Sequence, residues 1–185
     1  GGMGDILLST PTARALAEAH QTREIDYVVG PGMESALRGV GYVRDVLTFD
    51  RRRDASASAF LAFGRRLRQR RYDLFVNLQP SAKTLGLMWL SGAPRRIVFR
   101  KDRRRQPDTG KVRHAIDDFL KELAPLGLHP TDRRMDFSVT DDDVAGMEAI
   151  LAAEGVGPGE RFVAVNPAGT RDINRWPPDR FARCF

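Results

Sequence analysis

The sequence predicts an α/β fold, a doubly wound parallel sheet covered by helices, followed by the beginning of a second domain. Short β-branched runs alternate with helical patterns, as in βαβ units. A glycine-rich cluster at 155–159 interrupts this alternation, and a new apolar run follows it. The 185 residues suffice for one ordinary domain with a remainder. We therefore expect one domain over 1–157 and the start of another over 158–185.

The expected elements follow from hydrophobic periodicity and turn residues. The strands are 25–29, 43–49, 74–78 and 96–99, and the helices between or beside them are 11–19, 33–38, 57–71 and 82–90. Right-handed crossovers between such strands produce a doubly wound sheet. Two further helices are predicted at about 112–126 and 142–154, and the second domain is expected to open with a buried strand at 162–165 and a helix from 179.

The two ends of the chain lead to an expectation about completeness. The segment 1–4, Gly-Gly-Met-Gly, is typical of a loop that follows a strand, and the last predicted helix is cut short. We expect a fragment that lacks one strand at its front and most of the second domain, and that is inactive alone.

Charge is the most informative part of the composition. The net charge is +6, and the basic residues concentrate at 51–53, 65–71 and 95–105. Such clusters suit nucleic acid, an anionic membrane or a phosphorylated substrate, or they form a solvated surface. For 65–71, a solvated surface is as good an explanation as an anionic partner, because Phe60, Phe63 and Leu67 form an inward stripe there and leave the arginines on the outer face. A nucleic-acid-binding module that uses these clusters electrostatically is an alternative function. Because no familiar nucleic-acid-binding motif is present, we expect no nucleic-acid partner.

The sequence disfavours a membrane-spanning protein, a secreted protein and a protein built on disulfides or a cysteine-bound metal. No run approaches the roughly 20 apolar residues of a membrane span, and no signal peptide is recognisable, so we expect a cytoplasmic protein. Cys184 is the single cysteine, which excludes an internal disulfide and a cysteine-built metal site.

The first candidate site is the segment GGMGDILLSTP. Its glycines let backbone N–H groups approach a phosphate or sugar, so Met3 and Gly4 are candidate donor-binding residues. Asp5 is equally well explained as a carboxylate at a helix N-terminus or as a general base in a cleft. The spacing differs from the dinucleotide-binding fingerprint, which disfavours a nicotinamide cofactor.

The second candidate is the segment VNPAGTRDINRWPP. Thr170 offers a hydroxyl, and Arg171 and Arg175 offer positive charge, which together suit a diphosphate. Pro177 suits the first position of a helix. The alternative is an ordinary strand-to-helix loop with Trp176 as a packing anchor.

Several motifs together resemble glycosyltransferase family 9, the lipopolysaccharide heptosyltransferases. They are GDILLSTP, IDYVVGPG, DLFVNLQPSAKT, RHAIDDFL and FVAVNPAGT with RWPPDRFA, in this order. The resemblance implies a GT-B fold of two Rossmann-like domains, with the acceptor bound mainly by the N-terminal domain and ADP-heptose by the C-terminal one. It also implies an inverting transfer that needs no metal or cofactor.

Carried over to this sequence, the family's base is Asp5, and the loop that stabilises the leaving ADP contains Thr170. This sequence departs from the family at Asn174, where many relatives have a lysine. We expect Arg171 or Arg175 to replace that lysine.

The acceptor side is assigned from the same resemblance and from charge. Lys83, Arg100 and Lys101 are expected to meet an acidic sugar or phosphates of the lipopolysaccharide core, and His114 matches a family histidine. A helix-terminal histidine bonded to the backbone is the alternative for His114. The basic surface suits peripheral contact with the inner face of the inner membrane. A different donor sugar or acceptor on the same fold is the second hypothesis, because donor-selecting residues are expected beyond 185.

Overall fold

A computed structural model describes residues 2–22, 24–50, 56–100, 110, 113–166, 169 and 175–184. The chain forms two compact units, Gly1–Val139 and Thr140–Phe185. The predicted boundary at 157/158 lies inside the second unit, and the assignment of domains stays a prediction.

The first unit alternates helices and strands in the predicted order. Its elements are α1 (Met3–His20), β1 (Ile25–Val29), a 3-10 helix (Glu34–Leu37), β2 (Val43–Thr48), α2 (Ala57–Gln69), β3 (Leu74–Asn77), α3 (Ala82–Leu90), β4 (Arg95–Val98), α4 (Ala115–Lys121) and a second 3-10 helix (Ala124–Leu126). The predictions for β1 and α3 are confirmed to the residue.

The strands pair in parallel, as predicted, but as two separate pairs. Ile25 aligns with Val43 at the start of the first pair, and Leu74 aligns with Arg95 at the start of the second. Among the described residues β1–β2 and β3–β4 are not hydrogen-bonded to each other, so the expectation of one continuous sheet is wrong for this part of the chain. A shared core of buried side chains joins the two pairs; it comprises Leu47, Phe49, Phe63, Leu67 and Leu87.

Helix α1 begins earlier than predicted. The expected glycine loop at 1–4 is wrong, because the helix starts at Met3, where Asp5 Oδ2 accepts a hydrogen bond from the Gly2 N–H at 3.1 Å. Pro11 inside the helix cannot donate to the Leu7 carbonyl. The Thr10 hydroxyl donates to that carbonyl instead, at 2.8 Å, so the helix continues through the proline.

Helices α2 and α3 pack closely through two glycines. A Cβ on Gly64 would lie 2.6 Å from Leu90 Cδ1, and one on Gly86 would lie 2.9 Å from Phe60 Cζ. Phe63 and Leu67 are buried and Phe60 packs against the core, which confirms the inward stripe expected for α2.

A buried ionic network holds the amino ends of three strands together. The Asp26 carboxylate, 1% exposed, accepts hydrogen bonds from Arg44 at 2.8 and 2.9 Å, from Arg70 at 3.0 Å and from Tyr72 at 2.6 Å. Arg70 also contacts Asp45 of β2 at 2.6 Å. Burial acts to raise the pKa of Asp26, but these hydrogen bonds and the two positive charges outweigh it, so the pKa lies below its ordinary value.

An extended segment, 131–138, is bound along α1 and ends the first unit; we call it the strap. Asp136 anchors it, because its N–H donates to Thr10 Oγ1 at 2.8 Å and its carboxylate accepts from Arg14 at 2.6 Å and Tyr42 at 2.7 Å. Burial and this carboxylate raise the pKa of Tyr42. The strap therefore leaves the first unit from a defined position.

The second unit contains α5 (Asp141–Ala153) and α6 (Pro178–Ala182). Thr140 caps α5, and its hydroxyl accepts from the Asp143 N–H at 3.2 Å. The predicted buried strand at 162–165 is wrong: these residues form no strand, and Phe162 and Val163 are exposed. A strand needs a neighbour to pair with, and no described residue of this unit supplies one.

Candidate functional site

The candidate base, Asp5, lies in the first turn of α1. The Ser9 hydroxyl lies 3.5 Å from the Tyr27 hydroxyl in the middle of β1, and the C-terminus of α1 leads directly into that strand. The helix thus runs antiparallel to β1, and its first turn lies towards the strand's carboxyl end. Open α/β sheets bind ligands at that edge. Met3, Gly4 and Asp5 are all exposed there.

The helix-terminal role weighed for Asp5 is present, and its role as a base stays a prediction. Its carboxylate accepts from the Gly2 N–H and lies at the positive end of an 18-residue helix, which favours negative charge. One oxygen makes this bond and the side chain is exposed, so the carboxylate can also accept a proton from a ligand.

Lys83 lies at the start of α3, directly after the carboxyl end of β3. The Ser81 hydroxyl accepts from the Thr84 N–H at 3.3 Å, and the Thr84 hydroxyl accepts from the Ser81 N–H at 2.8 Å. Buried Asn77, the last residue of β3, donates its side-chain amide to the Thr84 hydroxyl at 3.2 Å. These bonds fix the turn, so Lys83 is presented at the carboxyl end of β3.

Arg100 and His114 lie at opposite ends of α4. The Arg100 N–H donates to Glu122 at the helix C-terminus at 3.2 Å, and Phe99 packs edge-on against Phe119. His114 is the N-cap of the same helix, and its Nδ1 accepts from the Ile116 N–H at 3.3 Å. The backbone-bonded role weighed for His114 is present, and the structure does not bring the two residues together as one acceptor site.

Glu34, which was not among the predicted site residues, is a carboxylate at the carboxyl edge of the β1–β2 pair. Its side chain accepts from Thr48, the last residue of β2, at 2.7 Å, and this bond lowers the pKa of Glu34. A signal was present in the sequence, because Glu34 follows the Gly-Pro-Gly turn that ends β1.

Part of the second candidate site is described. Arg175 Nε donates to the Gly169 carbonyl at 2.8 Å. Trp176 packs edge-on against Phe181 with ring centroids 5.0 Å apart, so the packing role weighed for Trp176 is present. Thr170, Arg171 and Asn174, like Lys101 of the first unit, lie outside the described residues, and their roles stay predictions.

Metal-binding groups, cavities and membrane-spanning helices also bear on what the site can do. Within the described part of the chain, no group of three His, Cys, Asp or Glu side chains is arranged to hold a metal ion. A cavity of about 300 Å³ lies at the amino ends of β3 and β4, lined by residues that include Arg68, Tyr72 and Gly92. Asp5 is not among the residues that line this cavity. No helix in the described ranges has the length and apolarity needed to span a membrane.

A solved structure of known family is similar to this chain. No family model matches the chain, and no curated protein matches it. A solved structure described as the glycosyl transferase family 9 from Veillonella parvula DSM 2008 is similar, with a TM-score of 0.85 and 21% sequence identity. The match covers 99% of this chain and 56% of that chain, so this chain spans about half the length of the matched protein. At this identity the likeness establishes a shared fold.

Proposed function

We propose that this chain is the acceptor-side part of an inverting, nucleotide-sugar-dependent glycosyltransferase of family 9 with a GT-B fold. The observation that carries the proposal is the fold shared over 99% of the chain with a structure described as a family 9 glycosyl transferase. The motifs of the sequence resemble the same family, and they are distributed over the whole length. The fold match does not depend on close sequence identity, and it agrees with the family that the motifs resemble.

The reaction proposed for the site is direct displacement at a sugar carbon. Asp5 removes the proton from an acceptor hydroxyl as its oxygen attacks the anomeric carbon of the donor. The bond from that carbon to the diphosphate breaks, the configuration inverts, and the nucleoside diphosphate leaves with the bonding electrons. The exposed position of Asp5 at the carboxyl edge of the sheet supports this role.

The finer assignment is transfer of heptose from ADP-heptose to the inner core of lipopolysaccharide. Thr170, Arg171 and Arg175 would stabilise the leaving ADP, with Met3 and Gly4 near the donor. Lys83, Arg100, Lys101 and His114 would contact the acceptor. Neither a metal nor another cofactor is part of the proposal. The site would work at the inner face of the inner membrane, where the acceptor lipid lies.

The experiment is an assay of ADP release by the natural gene product that carries this chain. ADP-heptose and a heptose-deficient lipopolysaccharide core are supplied together, and each is omitted in turn. The proposal expects release only when both are present. Release with a different nucleotide sugar would keep the fold-based proposal and replace heptose, whereas a folded protein that releases nucleotide from no sugar donor would refute the enzyme assignment.

A further inference from the structure

We propose that the outer surface of α2 and α3, with β4, docks on an anionic phospholipid bilayer. We call this surface the α2–α3 face; it comprises Leu61, Arg65, Arg68, Trp89 and Arg96. The inference specifies the membrane contact proposed above, but it rests on this surface alone and involves neither the sugar nor the nucleotide.

The charge of this part of the chain has one sign. Between residues 56 and 100 the only acidic residue is Asp73. In this range Arg70 forms ion pairs with Asp26 and Asp45. Arg65 and Arg68 are exposed on the outer side of α2. Their charges are therefore available to an external anion.

The helix geometry places these arginines beside apolar groups. Leu61, Arg65 and Arg68 follow the spacing i, i+4, i+7, so they form one stripe on α2. The stripe borders α3, because a Cβ on Gly92 would lie 3.6 Å from Arg68 Nη1. Leu61 is 46% exposed and Trp89, on α3, is 64% exposed. An exposed leucine thus shares a helix face with two arginines, and an exposed tryptophan lies on the neighbouring helix.

Trp89 and Arg96 favour a lipid surface over nucleic acid. The Arg96 guanidinium lies 4.1 Å from the centre of the Trp89 ring and covers one of its faces. That face is then occupied, so it cannot stack on a base. An amphipathic ring with an exposed edge, beside arginines and a leucine, is the composition that prefers the headgroup region of a bilayer. Each basic residue near an anionic surface strengthens binding by about fivefold.

The test uses the 185-residue chain with Trp176→Phe, which leaves Trp89 as its only tryptophan. Vesicles of equal parts phosphatidylcholine and phosphatidylglycerol should shift the Trp89 emission to shorter wavelength, and added salt should weaken binding. Vesicles of phosphatidylcholine alone should leave the emission unchanged.

Paired variants identify the surface. Arg65→Gln with Arg68→Gln should weaken binding to the anionic vesicles about 25-fold. The matched control is Arg180→Gln with Arg183→Gln, which neutralises two exposed arginines at the same spacing in the second unit and should change binding less than twofold. Equal weakening by both pairs, or no binding to anionic vesicles, would overturn the proposal. Displacement of the vesicles by single-stranded DNA with quenching of Trp89 would replace it with a nucleic-acid surface.

Discussion

Replacement of Asp26 with asparagine should destabilise the first unit by about 3 kcal/mol. The carboxylate is 1% exposed and accepts hydrogen bonds from Arg44, Arg70 and Tyr72. Removing one partner of a buried ion pair costs about 3–5 kcal/mol, because the remaining charge stays uncompensated. Arg44 and Arg70 are partly exposed, so they can regain water, and the lower end of that range applies.

The assay is equilibrium unfolding in urea, followed by circular dichroism, with Asp45→Asn as the matched control. Asp45 lies on the neighbouring strand, accepts from Arg70 and is 40% exposed, so its loss should cost less than about 1 kcal/mol. For a unit of this size the Asp26 variant should melt about 6–12 °C lower than the parent. If both variants lose the same small amount, the Asp26 network does not hold the strands together.

The loss of stability in Asp26→Asn should depend on pH in a defined direction. Because the pKa of Asp26 is lowered in the folded state, the ionised carboxylate contributes its full stability above the unfolded-state pKa of about 3.9. That contribution is lost as the pH falls through the lowered pKa. The deficit of Asp26→Asn should therefore be constant near neutral pH and shrink below about pH 4.

Two other perturbations test the packing of α2 and the anchoring of the strap. Gly64→Ala should destabilise the first unit by about 1 kcal/mol in the same urea assay. Overpacking against α3 costs about 1–3 kcal/mol, and the higher helix propensity of alanine offsets about 1 kcal/mol of that cost. Gly146→Ala, in α5 with no atom within 4 Å of the new methyl group, should be neutral or stabilising, and a loss equal to that of Gly64→Ala would contradict the close contact. Tyr42→Phe removes a hydrogen bond to the Asp136 carboxylate and should speed amide hydrogen exchange in 131–138 about tenfold, at a cost of about 1.5 kcal/mol. Arg134→Ala removes a mostly exposed side chain from the same strap and should leave exchange unchanged; similar acceleration by both variants would refute the anchoring role of Tyr42.

Local sequence signals made the alternating strands and helices of the first unit predictable. The strand at 25–29 is a β-branched run ended by Gly-Pro-Gly, and the helix at 82–90 is preceded by a serine that caps it. Both signals act within a few residues, so one sequence suffices to read them. The alternation of such elements was enough to predict parallel pairing, which the structure confirms.

The errors occur where distant or compensating contacts decide the structure. Helix α1 continues through Pro11 because the Thr10 hydroxyl satisfies the Leu7 carbonyl, a compensation that helix propensity does not include. The run at 162–165 has the composition of a buried strand, but the described residues offer it no pairing partner. Composition alone cannot supply that partner.

In the candidate site too, local motifs predict some residues, whereas contacts between distant elements cannot be predicted. Asp5 and Lys83 could be selected because each follows a recognisable motif at a helix start. The bond between Glu34 and Thr48 joins two separate elements, so no motif indicated it. The anchor between Arg14 and Asp136 spans 122 residues of sequence, and its partners cannot be matched from a single sequence.

The central claim, that Asp5 is the base of a sugar transfer, is tested most directly by the kcat of Asp5→Asn in the natural gene product with ADP-heptose and its acceptor. Asp73→Asn, which neutralises an exposed carboxylate before the amino end of β3, is the matched control. We expect the Asp5 variant to lose about 10²–10⁴-fold in kcat with unchanged unfolding, while the control keeps parental activity. A folded Asp5 variant that turns over as fast as the control would contradict the assignment of the base.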